Sequence, residues 1–206
     1  FPEVTDSPAS KNGYITFGAF NRLEKNNEKV YTLWAEILHR IPTATLIIKA
    51  AKLDYSKLRE NVQAFFLKQG ISNNRLILVG KTPRPDHLKA HDQIDIMLEP
   101  YPHSGGMTTM DSLYMGVPIL TYENNNRFPI TASILHILEL DEWRAKNEDE
   151  YIKKAVQFSR NLNYLKTLRH QLRKRFAESA LGNSQLYTNQ VETVYRQLWK
   201  KWCDNV

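Results

Sequence analysis

The 206-residue chain holds a single cysteine, Cys203, so neither an internal disulfide framework nor a thiolate metal cluster can be built from it, which suits a reducing compartment. Nowhere do the roughly 18 or more uninterrupted apolar residues of a membrane helix occur, and no basic region followed by a long apolar stretch opens the sequence. A cytoplasmic protein with no membrane span is the expectation. Two familiar phosphate signatures are missing as well. No GxGxxG follows a strand and no GxxxxGK(S/T) is present, which removes the dinucleotide fingerprint and the nucleoside-triphosphatase loop. Acidic residues are scarce toward the end: residues 151–206 carry 11 Lys/Arg against 3 Asp/Glu, a surplus of +8 in a chain of net charge +6. Such a tail fits nucleic acid, an acidic partner or a phosphorylated ligand, or equally the solvent face of several helices.

What is present is a soluble globular composition, 42% hydrophobic and 24% charged, with enough length for one substantial core or two small lobes. The most informative stretch runs from Ile94 to Tyr122. An apolar run at Ile94, Ile96, Met97 and Leu98 gives way to a loop with Pro102, Ser104, Gly105 and Gly106. Apolar residues at helical spacing follow (Met107, Met110, Leu113, Tyr114), then Gly116 and a second apolar run from Val117 to Leu120. This order predicts strand, glycine turn, helix, glycine stop and strand, the unit of an α/β fold with a parallel sheet. The glycines permit a tight turn at the helix start, where unpaired amides and the helix dipole suit a phosphate. Asp111, one turn inside that helix, offers a carboxylate to a sugar hydroxyl. An ordinary loop-to-helix junction accounts for the same residues.

Along the rest of the chain, residues 1–13 read as a linker or interdomain segment, with Pro2, Pro8, Asn12 and Gly13 among small polar residues. Strands are predicted at 14–20, 45–49, 75–79, 94–98 and 117–120, and helices at 28–40, 53–69, 86–92 and around 134–140. Asn147 with Glu150 forms a capping-box pattern before a helix at 151–158, a second helix spans 162–176, and Asn183 or Ser184 caps a last one reaching Trp202. The βα periodicity predicts a Rossmann-like, doubly wound parallel sheet over 14–146, with helices at 147–206 packed on the same lobe. Strand order is not fixed by these patterns.

Several side chains then acquire chemical meaning. Lys25 follows the first strand, at the carboxyl edge where ligands bind in such folds, with Arg22 close by to reach phosphate oxygens. His87 and His91, four apart with Asp92 and Asp95 near, would allow an imidazole pair to hold a metal, but no fixed third ligand accompanies them. In its loop after Thr82 and Arg84, His87 equally suits stacking on a nucleotide base. His103 in the glycine-rich loop is a candidate base by its near-neutral titration, or simply a loop histidine.

Together the stretches GYITFGAFNRLEK, DHLKAHDQIDIMLEPYP, GGMTTMDSLYMGVPILT and AKNEDEYIKKAV through YRQLWKKW resemble the catalytic C-terminal lobe of protein O-glycosyltransferases. These are the O-linked N-acetylglucosamine transferases and the related SPINDLY-type O-fucosyltransferases. The likeness is collinear over nearly the whole chain, and FNxLxK and Gly-x-x-Thr-Thr-x-Asp are its most specific parts. It implies the donor-binding half of a GT-B enzyme that transfers a sugar with inversion to Ser or Thr. It implies no cofactor, a UDP-sugar donor (UDP-GlcNAc or UDP-Glc) with GDP-fucose as second choice, a protein acceptor, and a first lobe with tandem helical repeats outside these residues.

By the same resemblance, Lys25 is the diphosphate lysine and the catalytic residue, supported by Asn21 and Arg22. Thr82 and Arg84 fall in the base-reading loop, His87 stacks on the base, Asp111 binds ribose, and Gly105, Gly106, Met107, Thr108 and Thr109 hold the diphosphate. Gly106 departs from the usual His or Thr and Met107 from the usual Thr, Ala90 replaces an arginine of the animal enzymes, and the Asn124–Arg127 loop lacks the usual His. Alternatives are a protein N-glucosyltransferase or another GT-B enzyme, a non-catalytic nucleotide-sugar scaffold, and, last, a nucleic-acid module built on 169-RHQLRKR-175.

Overall fold

A computed structural model describes residues 1–123 and 129–205. Six strands, β1 (Thr16–Ala19), β2 (Thr45–Lys49), β3 (Leu76–Val79), β4 (Ile96–Leu98), β5 (Ile119–Tyr122) and β6 (Arg144–Ala145), pair in parallel in the order β3-β2-β1-β4-β5-β6. The order reverses between β1 and β4, where Phe17 lies opposite Ile96 and Gly18 opposite Met97. A crevice at such a switch point, outside the strand carboxyl ends, is where doubly wound folds bind ligands. The central strands are short and mostly apolar in what they bury, β1 and β4 being buried along their full length, with Thr16, Lys49 and Thr121 among the buried polar residues. That is the pattern of a sheet covered on both faces.

The helices follow the sequence periodicity closely. In α2 (Glu28–Arg40) the stripe Val30, Leu33, Trp34, Ile37 and Leu38 is buried, and the Asn27 side chain accepts from Val30 N. Helix α3 (Ser56–Lys68) begins three residues later than expected because a 3-10 turn, Ala51–Asp54, precedes it. Helices α4 (Arg84–Lys89), α5 (Met107–Tyr114) and α6 (Ile130–Ile137) complete the crossovers. Gly116 leaves α5 at φ +79°, a left-handed backbone that a side chain would strain. The Asn147 cap precedes α7 (Glu148–Ser159), accepting from Glu150 N, while Glu150 reaches back to Lys146 N. Asn183, not Ser184, caps the last helix, α9 (Ser184–Cys203).

Three features differ from expectation. First, β6 was not foreseen. Second, residues 1–13 are bound to the body: they include α1 (Pro8–Asn12), and the buried Asp95 accepts from Ser7 Oγ, from Ala9 N at 3.0 Å and from Thr16 N at 2.9 Å. Asp95 is therefore a structural tie and not a partner for His91. Third, α8 (Leu162–Glu178) packs on α5 and α7, but α9 (Ser184–Cys203) buries none of its residues. Its Tyr187, Val194, Tyr195, Leu198, Trp199 and Trp202 all face outward, so only α7 and α8 of the C-terminal helices pack on the lobe.

The basic cluster also turns inward. Arg169 is buried, and its guanidinium donates to the carbonyls of Thr5, Ile94 and His91, while Arg173 donates to those of Tyr114 and Pro2. Two of its arginines thus join α8 to the N-terminal segment and the sheet instead of presenting charge to nucleic acid.

Candidate functional site

Beyond β1 the chain passes through Phe20, Asn21 and Arg22 into a 3-10 turn, Leu23–Lys25. Beyond β4 it enters the glycine loop that opens α5. Because β1 and β4 are parallel neighbours, both exits reach the same sheet edge, and Lys25 Nζ donates to the Ser104 carbonyl at 2.7 Å. The first bond of α5 runs from Met110 N to Gly106 O at 3.0 Å, so the amides of Met107, Thr108 and Thr109 precede the helical ladder. An ammonium beside a helix N-terminus is an arrangement for an anion.

Next to it a cleft of about 230 Å³ is lined by Asn21, Arg22, Lys49, Gly80, Thr82, His87 and Thr108, on a floor that includes Phe20. A narrower recess with Asn21, Lys25, Glu99, Gly105 and Thr108 adjoins it. Of the residues expected from the sequence, Asn21, Arg22, Lys25, Thr82, His87, Gly105 and Thr108 line these two recesses, whereas Arg84, Gly106, Met107, Thr109 and Asp111 line neither. Two buried polar atoms of the lining, Asn21 Oδ1 and Thr82 Oγ1, have no partner among the described residues. A ligand carrying its own donors and acceptors fits such a surface, since buried polar atoms are rarely left unsatisfied.

Electrostatics shape the base side. The His87 ring lies 5.9 Å from Phe20 and 5.6 Å from His91, and burial with the Lys49 charge pulls it below the usual histidine range, so it is neutral at pH 7. A neutral flat ring is suited to stacking on a base. Lys49 is itself buried and donates to the Gly80 carbonyl at 2.9 Å, while the Asp54 carboxylate accepts from Lys81 N. The loop of Gly80–Thr82 is thereby fixed from two sides.

Arg84 behaves differently from its expected place in the base loop. Its guanidinium makes a paired bond to the carboxylate of Asp111, one arm of it 2.6 Å long, with Asp111 almost wholly buried and Arg84 half exposed. Thr109 is also redirected: it is fully buried, and its hydroxyl faces Glu99 and Thr131 instead of a ligand. Met107 and His103 are exposed. No group of three His, Cys, Asp or Glu able to hold a metal occurs among the described residues, and His91 Nδ1 is engaged by the Leu88 carbonyl. The Asn124–Arg127 loop lies outside the described residues. A larger cleft of about 740 Å³ opens at the opposite, amino edge of the sheet, among Ser7, Tyr14, Thr45 and Ile77. It holds none of the chosen residues and no helix N-terminus of comparable length, so volume alone does not make it the site.

The sequence singles out His91 only as a possible metal partner of His87, and it gives no role to Glu99. His91 supports His87 from below, and burial pushes it down to about 4. Its unfolded value is near 6.5, so the unfolded chain takes up the proton first; this contribution is complete above about pH 6.5 and is lost as pH falls toward 4. Between pH 7.5 and 4.5, His91 should withdraw about 2–3 kcal/mol of stability. Asp95 and Glu99, both raised by burial, act with the opposite sign. Urea unfolding of the parent against His91→Gln isolates the histidine: the stability gap between them should change by that amount, and a gap independent of pH would mean that the ring is solvated.

The family model described as glycosyl transferase family 41 matches residues 9–191. A probable UDP-N-acetylglucosamine–peptide N-acetylglucosaminyltransferase SPINDLY from Solanum lycopersicum is 34% identical over 98% of this chain, which spans 22% of that protein. A solved mutant O-GlcNAc transferase from Thermobaculum terrenum superposes with a TM-score of 0.87 at 32% identity, covering 94% of this chain and 37% of the other. A sucrose-phosphate synthase from Thermosynechococcus elongatus, with a TM-score of 0.64 at 13% identity, shares the fold alone. The sheet and its flanking helices have the architecture of one lobe of a GT-B glycosyltransferase.

Proposed function

This chain belongs to glycosyl transferase family 41, and from that premise we propose that it is the donor-binding half of an inverting protein O-glycosyltransferase. The donor is a UDP-sugar, UDP-GlcNAc before UDP-Glc, and the acceptor a Ser or Thr hydroxyl of a protein. The contact of Lys25 with the glycine turn that opens α5 carries this reading. The diphosphate lies between the Lys25 ammonium and the amides of α5, the base enters the cleft between His87 and Thr82, and the ribose approaches Asp111. When the sugar leaves, negative charge grows on the diphosphate, and a fixed ammonium with oriented amides stabilises it more in the transition state than in the ground state. Acceptor recognition belongs to the large part of the relatives that this chain does not span. The 206 residues alone bind donor but transfer slowly.

Calorimetry with uridine, UDP, GDP, UDP-GlcNAc, UDP-Glc and GDP-fucose tests the reading. UDP should bind at least about tenfold more tightly than uridine, given the strength of charge-assisted phosphate contacts. Equal affinities would remove the diphosphate site, and GDP binding above UDP would move the donor to the guanine series.

The departure at Gly106 has a structural expression. A Cβ built there meets no atom within 4 Å, so the turn has open space for the side chain that the resemblance leads one to expect there. Gly106→Thr should fold normally and tighten UDP binding by roughly three- to tenfold through one added hydroxyl bond. Unchanged UDP affinity would show that the backbone amides alone hold the phosphate.

A further inference from the structure

Glu99 follows β4 directly beneath the glycine turn, 3% exposed, among donors from that turn and from α5, β5 and α6. Its Oε1 accepts from Gly105 N at 2.6 Å, Thr131 Oγ1 at 2.5 Å and Thr109 Oγ1 at 3.3 Å, and its Oε2 from Thr121 Oγ1 at 2.6 Å. The backbone carbonyl of Glu99 accepts from Tyr151 Oη at 3.1 Å, which anchors the residue from α7. A side chain on Gly105 would have its Cβ 2.3 Å from Thr109 Oγ1 and 2.8 Å from Glu99 Oε1, so the backbone approaches this carboxylate as closely as only glycine permits.

The amide that Glu99 grips and the carbonyl that Lys25 grips belong to one peptide unit. Ser104 C=O receives the ammonium at 2.7 Å, and Gly105 N–H, the other end of the same planar group, points to the carboxylate at 2.6 Å. A peptide plane held at both ends by opposite charges cannot rotate, and the direction of the following amides is set by that plane. Each bond is of the charge-assisted kind, stronger than a neutral one.

We propose that Glu99 is a positioning residue for the diphosphate site: it fixes the Ser104–Gly105 peptide so that the α5 amides face the ligand, and keeps it fixed when the diphosphate draws Lys25 away. This deepens the donor-binding reading and rests on it. Without Glu99 the base and ribose contacts at Thr82, His87 and Asp111 are untouched, whereas the diphosphate end loses its preset geometry.

Glu99→Gln keeps the shape and removes the charge, and Glu99→Asp keeps the charge. Both are compared with the parent by thermal unfolding, by calorimetry with uridine and UDP, and by the amide resonance and hydrogen exchange of Gly105. For Glu99→Gln the expected result is unchanged uridine binding, UDP binding weakened about tenfold, an upfield shift and faster exchange of the Gly105 amide, and partial recovery of all three in Glu99→Asp. Parallel loss of uridine and UDP binding would overturn the proposal, because Glu99 would then be supporting the lobe as a whole. An unmoved Gly105 resonance would overturn it too. Should the parent itself show no preference for UDP over uridine while the Gly105 amide shifts, the donor-binding reading fails and the grip on the turn stands, so the two failures are told apart.

Discussion

Replacing Lys25 with alanine is expected to weaken UDP binding roughly 10- to 100-fold, the worth of one charged hydrogen bond of 1.5–3 kcal/mol, while uridine binds as before. The reason is positional. Lys25 sits at the exit of β1 and touches the backbone of the β4–α5 loop, so its charge is held at the anion end of the crevice and away from the base cleft. On the donor-binding reading proposed above, the same substitution in a protein that also carries an acceptor-binding lobe should lower transfer by about a hundredfold or more, since the charge it answers is largest as the diphosphate departs. Lys25→Arg should recover binding in part: the charge returns, but a planar fork replaces a compact ammonium in a narrow recess. Calorimetry and single-turnover transfer measure the two effects, and UDP affinity that survives Lys25→Ala would remove the lysine from the site.

Asp111→Asn is expected to act on the other half of the ligand. The carboxylate is nearly buried and braced by Arg84, so it is a fixed acceptor with lone pairs left for a hydroxyl. The variant should bind both uridine and UDP about tenfold or more weakly, and should lose the preference for UDP over its 2′,3′-dideoxy analogue. That double readout separates it from Lys25→Ala, which spares the nucleoside. Arg84→Met should give a smaller loss, because Arg84 is half exposed and its pairing is screened by solvent. A dideoxy analogue bound as tightly as UDP by the parent would end the ribose assignment.

Much of this architecture can be read along the chain, and the reasons are local. Gly105 and Gly116 mark positions where close approach or backbone conformation decides the residue, and the stripe of α2 reports a buried face directly, whereas of the apolar residues in α5 only Leu113 is fully buried and Met107 is exposed. What escaped depends on pairings distant in sequence. Glu99 looks like any acidic residue before a proline until Thr109, Thr121 and Thr131 are brought round it from three other elements. Arg84 and Asp111 are 27 residues apart, and nothing local says that they meet. Strand β6 is two residues long, too short for alternation to register. For α9 the capping pattern marks where the helix starts but says nothing about what lies against it, and here its apolar residues are exposed.

The switch point between β1 and β4 has a kinetic consequence. Asp95, at the entrance to β4, bonds to Ser7, Ala9 and Thr16 across 79 to 88 residues of chain, and the β1–β4 pairing closes a loop of the same order. Contacts of such separation form late, after the nearer β1–β2 and β2–β3 pairings. Lys25 follows β1 and the glycine turn follows β4, so the two jaws of the anion site do not exist for each other until that closure. During refolding, UDP binding should therefore lag behind the return of helical signal and coincide with the final burial of the sheet centre.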